Sequence, residues 1–234
     1  MKQKKKFCTL ITPFFNEEKE ITRALIFIIK YRKKSDFIKK YIFVDDGSTD
    51  KSFSILKNIL DKNKNIKKNS LIIQNVNNLG WANSLKLAIK NVSTDYFISI
   101  GGDGEVDINK FLKRPEAVYD FVIYNRRNMI KTRPFHRVMI SKLFRFLVFF
   151  LFRTNFLDVN SPCLFNKNKL KKMKLVSNSF FLQAEIVFKL IKKKAIYTTG
   201  EVDLIFKNDK NKSSSLNFKM FFKVLIDILK LKFQ

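Results

Sequence analysis

The first hundred residues alternate between short apolar runs and longer segments in which apolar residues recur every three or four positions. Continuous apolar runs are typical of strands buried on both faces, and such alternation with helices is typical of a parallel sheet. We therefore predict an α/β fold in three layers, α/β/α, with a mostly parallel central sheet. The pattern predicts strands at 7–12, 41–45, 71–74 and 96–100, and helices at 17–34, 49–61 and 80–91.

The second half of the chain has a different pattern. A basic loop is predicted at 126–137, and the helix that follows it at 136–153 is rich in Phe, Leu and Val. The last predicted helix places apolar residues on one side and lysines on the other. The remaining elements predicted here are a strand at 121–124, a helix at 181–194, a strand at 195–206 and this last helix at 217–232, with 62–69 as a polar loop.

The charge of the chain is strongly unbalanced, with 47 basic and 20 acidic residues and a net charge of +27. This excess favours an anionic partner such as nucleic acid, an acidic membrane or a phosphorylated substrate. Only nine of the basic residues are Arg, and Lys, Asn, Ile and Phe are all abundant, so part of the charge reflects an AT-rich genome. We expect no nucleic-acid partner, because no zinc ligands, helix-turn-helix pattern or aromatic-basic strand is present.

Membrane and redox signals are limited. Basic amphipathic helices suit a membrane surface, although packing on the core with a solvated lysine face is the alternative. The most apolar stretch, 143–152, contains Arg145 and is too short to span a bilayer, so no transmembrane helix or signal peptide is predicted. Cys8 and Cys163 are isolated, which fits a reducing cytoplasm.

Three polar loops follow three of the predicted parallel strands, at 12–18, 45–48 and 101–105. In open α/β sheets, ligands bind at the carboxyl ends of the strands, where these loops would meet. Asp103 and Glu105 could share one Mg²⁺ or Mn²⁺, with substrate phosphates and water completing the coordination. Taken singly, each loop could also be a plain turn with a helix cap.

Together, these loops resemble the nucleotide-sugar site of family 2 glycosyltransferases. The matching segments are Pro13-Phe14-Phe15-Asn16-Glu17, Val44-Asp45-Asp46-Gly47-Ser48, Asn78-Leu79-Gly80 with Ala82, and Asp103-Gly104-Glu105, in which Glu replaces a second Asp. The resemblance implies a GT-A type fold in which Asp46 accepts from the base, Glu17 holds the nucleoside, and Asp103 and Glu105 hold the metal. The implied nucleotide-sugar contacts are Pro13, Phe15, Asn16, Glu17, Asp45, Asp46, Ser48, Gly80, Gly102 and Asp103.

The second half resembles the polyprenol-phosphate sugar synthases, the branch typified by dolichol-phosphate-mannose synthase. The resemblance rests on Tyr124-Asn125-Arg126, Arg137 with Ile140-Ser141, Asp158 to Asn166, Gln183-Ala184-Glu185, Glu201-Val202-Asp203 and Lys212-Ser213-Ser214. It implies that Arg126, Arg137, Lys212 and Ser213 bind the acceptor. The implied organisation is a donor half at 1–124, an acceptor half of the same catalytic domain at 125–215, and a C-terminal amphipathic helix at 216–234.

The reaction implied is metal-dependent, inverting transfer of a sugar from a nucleotide sugar to a polyprenyl phosphate. A phosphate monoester is already largely ionised at neutral pH, so Arg126 and Arg137 would only need to hold it in line. The alternative acceptor is a sugar hydroxyl of a lipid-linked or cell-surface glycan, which needs a base, and Glu185 is the best candidate. We expect a cytoplasmic protein, peripheral on the inner face of an anionic membrane, with a possible membrane partner protein.

Overall fold

The structure is a computed structural model of the chain. It describes residues 5–116, 118–127, 161–205 and 218–232, together with six helical positions between 139 and 150. The strands are β1 Cys8–Phe14, β2 Ile38–Asp45, β3 Ser70–Gln74, β4 Tyr96–Ser99, β5 Phe121–Arg126, β6 Cys163–Asn166 and β7 Tyr197–Val202. The helices are α1 Ile21–Lys34, α2 Ser52–Lys62, α3 Lys64–Lys68, α4 Trp81–Lys90, α5 Lys167–Leu170, α6 Leu182–Lys192 and α7 Phe218–Lys232, with a 3₁₀ turn at Ile108–Lys110.

The strands form one sheet in the order β3-β2-β1-β4-β6-β5-β7. β1 runs parallel to β2 and β4, β2 to β3, and β5 to β7. β6 is antiparallel to both of its neighbours, β4 and β5. The other six strands therefore point in the same direction, which confirms the predicted mostly parallel sheet.

The sheet has an apolar layer on each face, because successive side chains of a strand point to opposite sides. Leu10, Phe43 and Ile98 belong to the layer covered by α1 and α2, whereas their neighbours Ile11, Ile42 and Phe97 belong to the layer covered by α4 and α6. The three-layer α/β/α arrangement is thus confirmed. Each layer draws on residues from both sides of residue 124, and the predicted boundaries at 124 and 215 stay predictions.

Some predicted elements differ from those observed. The prediction of a loop at 62–69 is wrong over Lys64–Lys68, where α3 forms, and β6 was not predicted at all. β7 is shorter than the predicted strand at 195–206 and is followed by a single bridge from Leu204 to Val106. Most of the helix predicted at 136–153 lies outside the described residues, although the six positions described within it are helical.

The C-terminal helix α7 packs on the core. Packing on the core was the alternative that the sequence analysis gave to binding at a membrane surface. Ile228 and Leu231 are buried in the same layer as α4 and α6. Ile226 and Leu229, on the opposite side of the helix, are about half exposed. Among the described residues, no helix is both long enough and apolar enough to cross a membrane.

Candidate active site

The loops that follow β1, β2, β3 and β4 meet at one edge of the sheet, because these four strands are parallel. Backbone hydrogen bonds continue the ladder past the ends of the strands and fix each loop against the next. The donors and acceptors are Asp46 N–H to Phe14 C=O (2.9 Å), Asn75 N–H to Asp45 C=O (2.9 Å) and Gly102 N–H to Pro13 C=O (3.1 Å). The edge predicted to bind the nucleotide sugar is therefore one continuous surface.

The first two loops also interlock through side chains. Asn16 has a φ of 53°, in the left-handed region that Asn tolerates better than most residues. Its Oδ1 accepts from Thr49 N–H at 2.9 Å, and its own N–H donates to Ser48 Oγ at 3.0 Å. Asn16 and Ser48, predicted as nucleotide contacts, thus hold the loops in position, and their contact with the nucleotide stays a prediction.

Asp46 accepts hydrogen bonds at the centre of this edge, which we call the donor edge because the nucleotide-sugar donor is predicted to bind there. The residue is only 4% exposed. Oδ1 accepts from Asn75 Nδ2 (2.9 Å), Leu79 N–H (3.0 Å) and Ser84 Oγ (2.7 Å), and Oδ2 accepts from Gly80 N–H (2.9 Å). The backbone N–H groups just before α4 point at this carboxylate, which is where a helix N-terminus favours negative charge. In this conformation Asp46 fixes the 78–80 loop, and its predicted contact with the base stays a prediction.

Asp45 is fully buried beneath the second loop. Its Oδ1 accepts from Ser48 N–H at 2.9 Å and its Oδ2 from Gln74 Nε2 at 3.2 Å. Gly47 follows with a φ of 76°, and a Cβ at this position would lie 2.7 Å from the backbone carbonyl carbon of Asn77. Glycine is therefore required where the second and third loops approach each other.

The acidic loop after β4 places two carboxylates at the same edge. Asp103 Oδ1 accepts from Glu105 N–H at 3.1 Å, and both residues are partly exposed. A Cβ on Gly102 would lie 2.6 Å from Phe14 Cβ, so the backbone of this loop packs directly on β1.

The acidic pair fits a site for Mg²⁺ or Mn²⁺, because these ions take one or two carboxylates and complete the shell with substrate phosphates and water. Within the described part of the chain, no group of three or more His, Cys, Asp and Glu side chains is placed to hold a metal ion. Asp103 and Glu105 are the residues that would hold the ion.

Arg23, on α1, supports the acidic loop and was not identified from the sequence. Its Nε donates to Gly104 C=O at 3.0 Å and its guanidinium to Asp103 C=O at 3.2 Å, while Glu20 pairs with the same group at 2.6 Å. These contacts fix the backbone that carries the two carboxylates. The available signal was the residue type, since arginine is scarce in a chain where lysine predominates.

On the acceptor side, Arg126 ends β5, which runs in the same direction as β4. One strand, β6, separates them, and Ile98 and Val122 both pair with its Leu164, so Arg126 lies three residues further along the sheet than the end of β4. Ile205 N–H donates to Glu105 C=O at 2.9 Å, which ties the segment after β7 to the acidic loop. Arg137, Lys212 and Ser213, the other predicted acceptor contacts, lie outside the described residues.

Glu185, the candidate base, is fully buried on α6. Its carboxylate accepts from Val176 N–H (2.9 Å), Ser177 N–H (2.8 Å) and Lys189 Nζ (2.7 Å). Burial alone would raise the pKa of Glu185, but the hydrogen bonds from Lys189 and from the 176–177 backbone outweigh it and lower this pKa. A buried, saturated carboxylate with a lowered pKa is a weak base, so this geometry does not favour the predicted catalytic role of Glu185.

Another buried carboxylate, that of Asp227 on α7, binds the adjoining turn. It accepts from Asn178 N–H at 3.0 Å and from Ser179 Oγ at 2.6 Å. The next residue along, Phe180, packs on Trp81 at the start of α4, with ring centroids 5.6 Å apart. The 176–180 turn therefore connects α6 and α7 to the helix whose N-terminus faces Asp46.

Solved structures with this architecture include GT-A type glycosyltransferases. Glucosyl-3-phosphoglycerate synthase from Mycobacterium tuberculosis, solved with Mn²⁺, UDP-glucose and phosphoglyceric acid, superposes with a TM-score of 0.72 at 14% identity, covering 97% of this chain and 80% of that one. A mannosyltransferase from Pyrobaculum calidifontis, solved with GDP-mannose and Mn²⁺, has a TM-score of 0.61 at 15% identity, covering 89% of this chain and 59% of that one. These similarities confirm the predicted fold class.

Residues 9–179 match the family model described as glycosyl transferase family 2. The chain belongs to this family, which confirms the predicted class of enzyme.

Two curated proteins are also similar in sequence. Teichoic acid poly(glycerol phosphate) polymerase from Staphylococcus epidermidis is 35% identical over 99 residues, 42% of this chain. An uncharacterized glycosyltransferase from Haemophilus influenzae is 26% identical over 106 residues, 45% of this chain. The matched regions span only 13% and 40% of these two relatives.

Proposed function

We propose that this protein transfers a sugar, with inversion, from a nucleotide sugar to the phosphate of a polyprenyl phosphate on the inner face of a membrane. One observation carries the choice of acceptor. Arg126 stands at the edge of the sheet that bears Asp103 and Glu105, whereas the carboxylate of Glu185 is buried and fully engaged. An ionised phosphate acceptor needs a positioning cation but no base.

The donor is proposed to lie across the four linked loops. The 45–48 and 78–80 loops would receive the nucleoside, and the diphosphate would lie over the acidic loop, where glycine backbone permits close approach. A divalent cation held by Asp103 and Glu105 would act as a Lewis acid on the diphosphate. Arg23 would keep both carboxylates in place through its hydrogen bonds to the backbone of the loop.

The acceptor phosphate would be positioned by Arg126, at the carboxyl end of β5 and on the same edge of the sheet as the acidic loop. An oxygen lone pair of the phosphate forms a bond to the anomeric carbon as the bond from that carbon to the donor diphosphate breaks. The electron pair of the broken bond leaves with the nucleoside diphosphate, and attack from the opposite face inverts the configuration. No proton has to be removed, because the acceptor phosphate is largely ionised at neutral pH.

A second candidate is transfer to a hydroxyl group of a lipid-linked or cell-surface glycan. The specific observation in its favour is the set of similar structures solved with UDP-glucose and a small phosphate-bearing alcohol, phosphoglyceric acid or glycerol 3-phosphate. Such an acceptor needs a base, and Glu185 would have to leave its contacts with Val176, Ser177 and Lys189 to act as one.

The test is a transfer assay with Mn²⁺ or Mg²⁺, a panel of labelled nucleotide sugars and a polyprenyl phosphate, following label into the organic phase. We expect metal-dependent label from one donor. The Asp103→Asn variant should lose it, because an amide oxygen is a poor substitute for a carboxylate at a divalent ion. Asp61→Asn is the matched control, since Asp61 forms an exposed ion pair with Lys67 near the far end of α2.

The Arg126→Ala variant separates the two acceptors. We expect it to raise the KM for polyprenyl phosphate much more than the KM for the donor. Donor binding without label in lipid would reject the phosphate acceptor and direct attention to a hydroxyl acceptor and Glu185→Gln. Failure to bind any nucleotide sugar would reject both candidates.

A further inference from the structure

An exposed group of aromatic and basic side chains lies at six described positions between 139 and 150, far in sequence from the donor loops. All six described positions of this segment are helical and exposed. We name these residues the aromatic-basic stripe: Met139, Lys142, Arg145, Phe146, Phe149 and Phe150. Met139 is 50% exposed, and the three phenylalanines are 66%, 51% and 73% exposed in chain order.

The spacing of the stripe is that of one side of a helix. On a continuous helix, which turns through about 100° per residue, positions 139, 142, 145, 146, 149 and 150 would fall within an arc of about 140°. The apolar side chains would lie along the middle of this arc and to one side, with Lys142 among them and Arg145 at the other margin. The spacing therefore predicts one mixed surface rather than a scatter of single exposed residues.

Exposure on this scale is unusual for Phe among the residues that the structure describes. Elsewhere in the described residues, phenylalanines such as Phe43, Phe97 and Phe121 are fully or almost fully buried, and Phe15 is 38% exposed. Isolated exposed apolar residues need no explanation, but a contiguous exposed group marks an interaction surface.

The charge of the stripe identifies the kind of partner. Its two ionisable residues are both cationic, and the whole chain carries a net charge of +27. A self-complementary contact between two copies would bring Lys142 and Arg145 towards their own counterparts, and like charges repel. Three phenylalanines beside lysine and arginine match an anionic bilayer, where aromatic rings enter the boundary of the acyl chains and cations meet the head groups.

The outer side of α7 repeats this chemistry independently. Lys223, Ile226, Leu229 and Lys230 are all exposed there, with the two apolar residues at 49% and 51%. The opposite side of α7 is already used, since Ile228 and Leu231 pack in the core. The outer side therefore has no role in the described core.

We propose that the aromatic-basic stripe is a docking surface for an anionic lipid bilayer. It rests on the proposed function only in that this bilayer would carry the acceptor, and the physical binding is testable without any transfer assay. Phe146, Phe149 and Phe150 supply apolar burial, and Lys142 and Arg145 supply the preference for anionic head groups.

The test is flotation of the full chain with vesicles of phosphatidylcholine, with and without phosphatidylglycerol, at low and high NaCl. We expect binding to the anionic vesicles that weakens as NaCl is raised, because salt screens the head-group attraction. Replacing all three phenylalanines of the stripe with Ser should weaken this binding at least about tenfold, since each ring loses apolar burial. Replacing Lys142 and Arg145 with Glu should weaken binding to anionic vesicles by at least about tenfold.

The matched control replaces three exposed apolar residues elsewhere with Ser: Leu71, Val118 and Ile196, which are 41%, 52% and 51% exposed. This control should bind vesicles like the unchanged chain. All variants should show the same far-UV circular dichroism and thermal midpoint, because every replaced side chain is exposed. That comparison separates a docking role from loss of the fold.

Several results would overturn the proposal. These are equal binding by the triple Phe→Ser variant and the unchanged chain, equal binding to neutral and anionic vesicles, or a dimer that the triple variant abolishes in the absence of any vesicle binding. Vesicle binding without transferase activity on any acceptor would leave the docking surface standing and reject the proposed function. Transferase activity on a polyprenyl phosphate in detergent without vesicle binding would reject the docking surface and leave the proposed function standing.

Discussion

Replacement of Asp46 by Asn tests whether this residue stabilises the donor edge or serves only to contact the nucleotide. The side chain keeps its shape, and one oxygen can still accept from the three donors that reach Oδ1 in the present structure. An amide nitrogen then faces Gly80 N–H, whose nitrogen lies 2.9 Å from Oδ2. Two donors cannot pair, so the Gly80 N–H loses this hydrogen bond and keeps only the one that it donates to Asn78 Oδ1 at 3.0 Å.

The magnitude follows from that loss. A hydrogen bond to a charged group contributes about 1.5–3 kcal/mol. Because Gly80 N–H keeps its hydrogen bond to Asn78 Oδ1, we expect the Asp46→Asn variant to lose about 1.5–3 kcal/mol in the free energy of unfolding. For a chain of this length, that corresponds to a fall in thermal midpoint of roughly 3–12 °C.

The assay is urea denaturation followed by circular dichroism, with nucleotide affinity measured on the same preparations. The control is Asp61→Asn, which removes an exposed acid and should change stability by less than about 0.5 kcal/mol. If Asp46→Asn keeps full stability and loses only nucleotide affinity, the structural role is refuted and the sequence-based assignment to the base is restored.

Three further predictions concern single positions at or near the candidate site. Arg23→Met keeps the aliphatic stem but removes the hydrogen bonds to the backbone of Asp103, so the Mn²⁺ concentration for half-maximal transfer should rise severalfold; an unchanged metal titration would contradict this. Gly102→Ala should lose about 1–3 kcal/mol of stability in thermal melts, because its Cβ would lie 2.6 Å from Phe14 Cβ; a melt like that of the unchanged chain would show that the strand yields. The pKa of Glu185 is lower in the folded chain than the value of about 4.3 in an unfolded one, so its contribution is complete above about pH 4.3 and is lost as pH falls through the folded pKa. Urea midpoints between about pH 5 and 3 should therefore fall more steeply for the unchanged chain than for Glu185→Gln, and parallel curves would argue against this.

The parallel half of the fold was predictable from the sequence because its strands are continuous apolar runs separated by amphipathic helices. β6 was missed because Cys163, Leu164 and Phe165 are too short a run to distinguish from a loop, and the antiparallel pairing that stabilises it is with distant strands. α3 was missed because its composition is that of a polar loop, and only Ile66 is buried.

The positions of the donor loops were predictable because strand ends of one direction share an edge. The roles within those loops were harder to predict, since a carboxylate that binds a ligand and one that caps a neighbouring loop have the same sequence signature. Asp46 and Glu185 illustrate this. Backbone N–H groups at 79–80 donate to Asp46, and backbone N–H groups at 176–177, in the turn before α6, donate to Glu185. The role of Arg23 could not be predicted for a related reason, because its hydrogen-bond partners are backbone carbonyl groups that no sequence motif identifies.

The single tryptophan of the chain gives the molecule its own optical probe. Trp81 follows Gly80, whose N–H reaches Asp46, and its ring packs on Phe180 from the other predicted half. We therefore expect its fluorescence emission to change when a nucleotide binds at the donor edge, and when the predicted donor and acceptor halves separate. Quenching or a shift in emission wavelength could thus report binding in unlabelled protein, before the sugar and the acceptor have been identified.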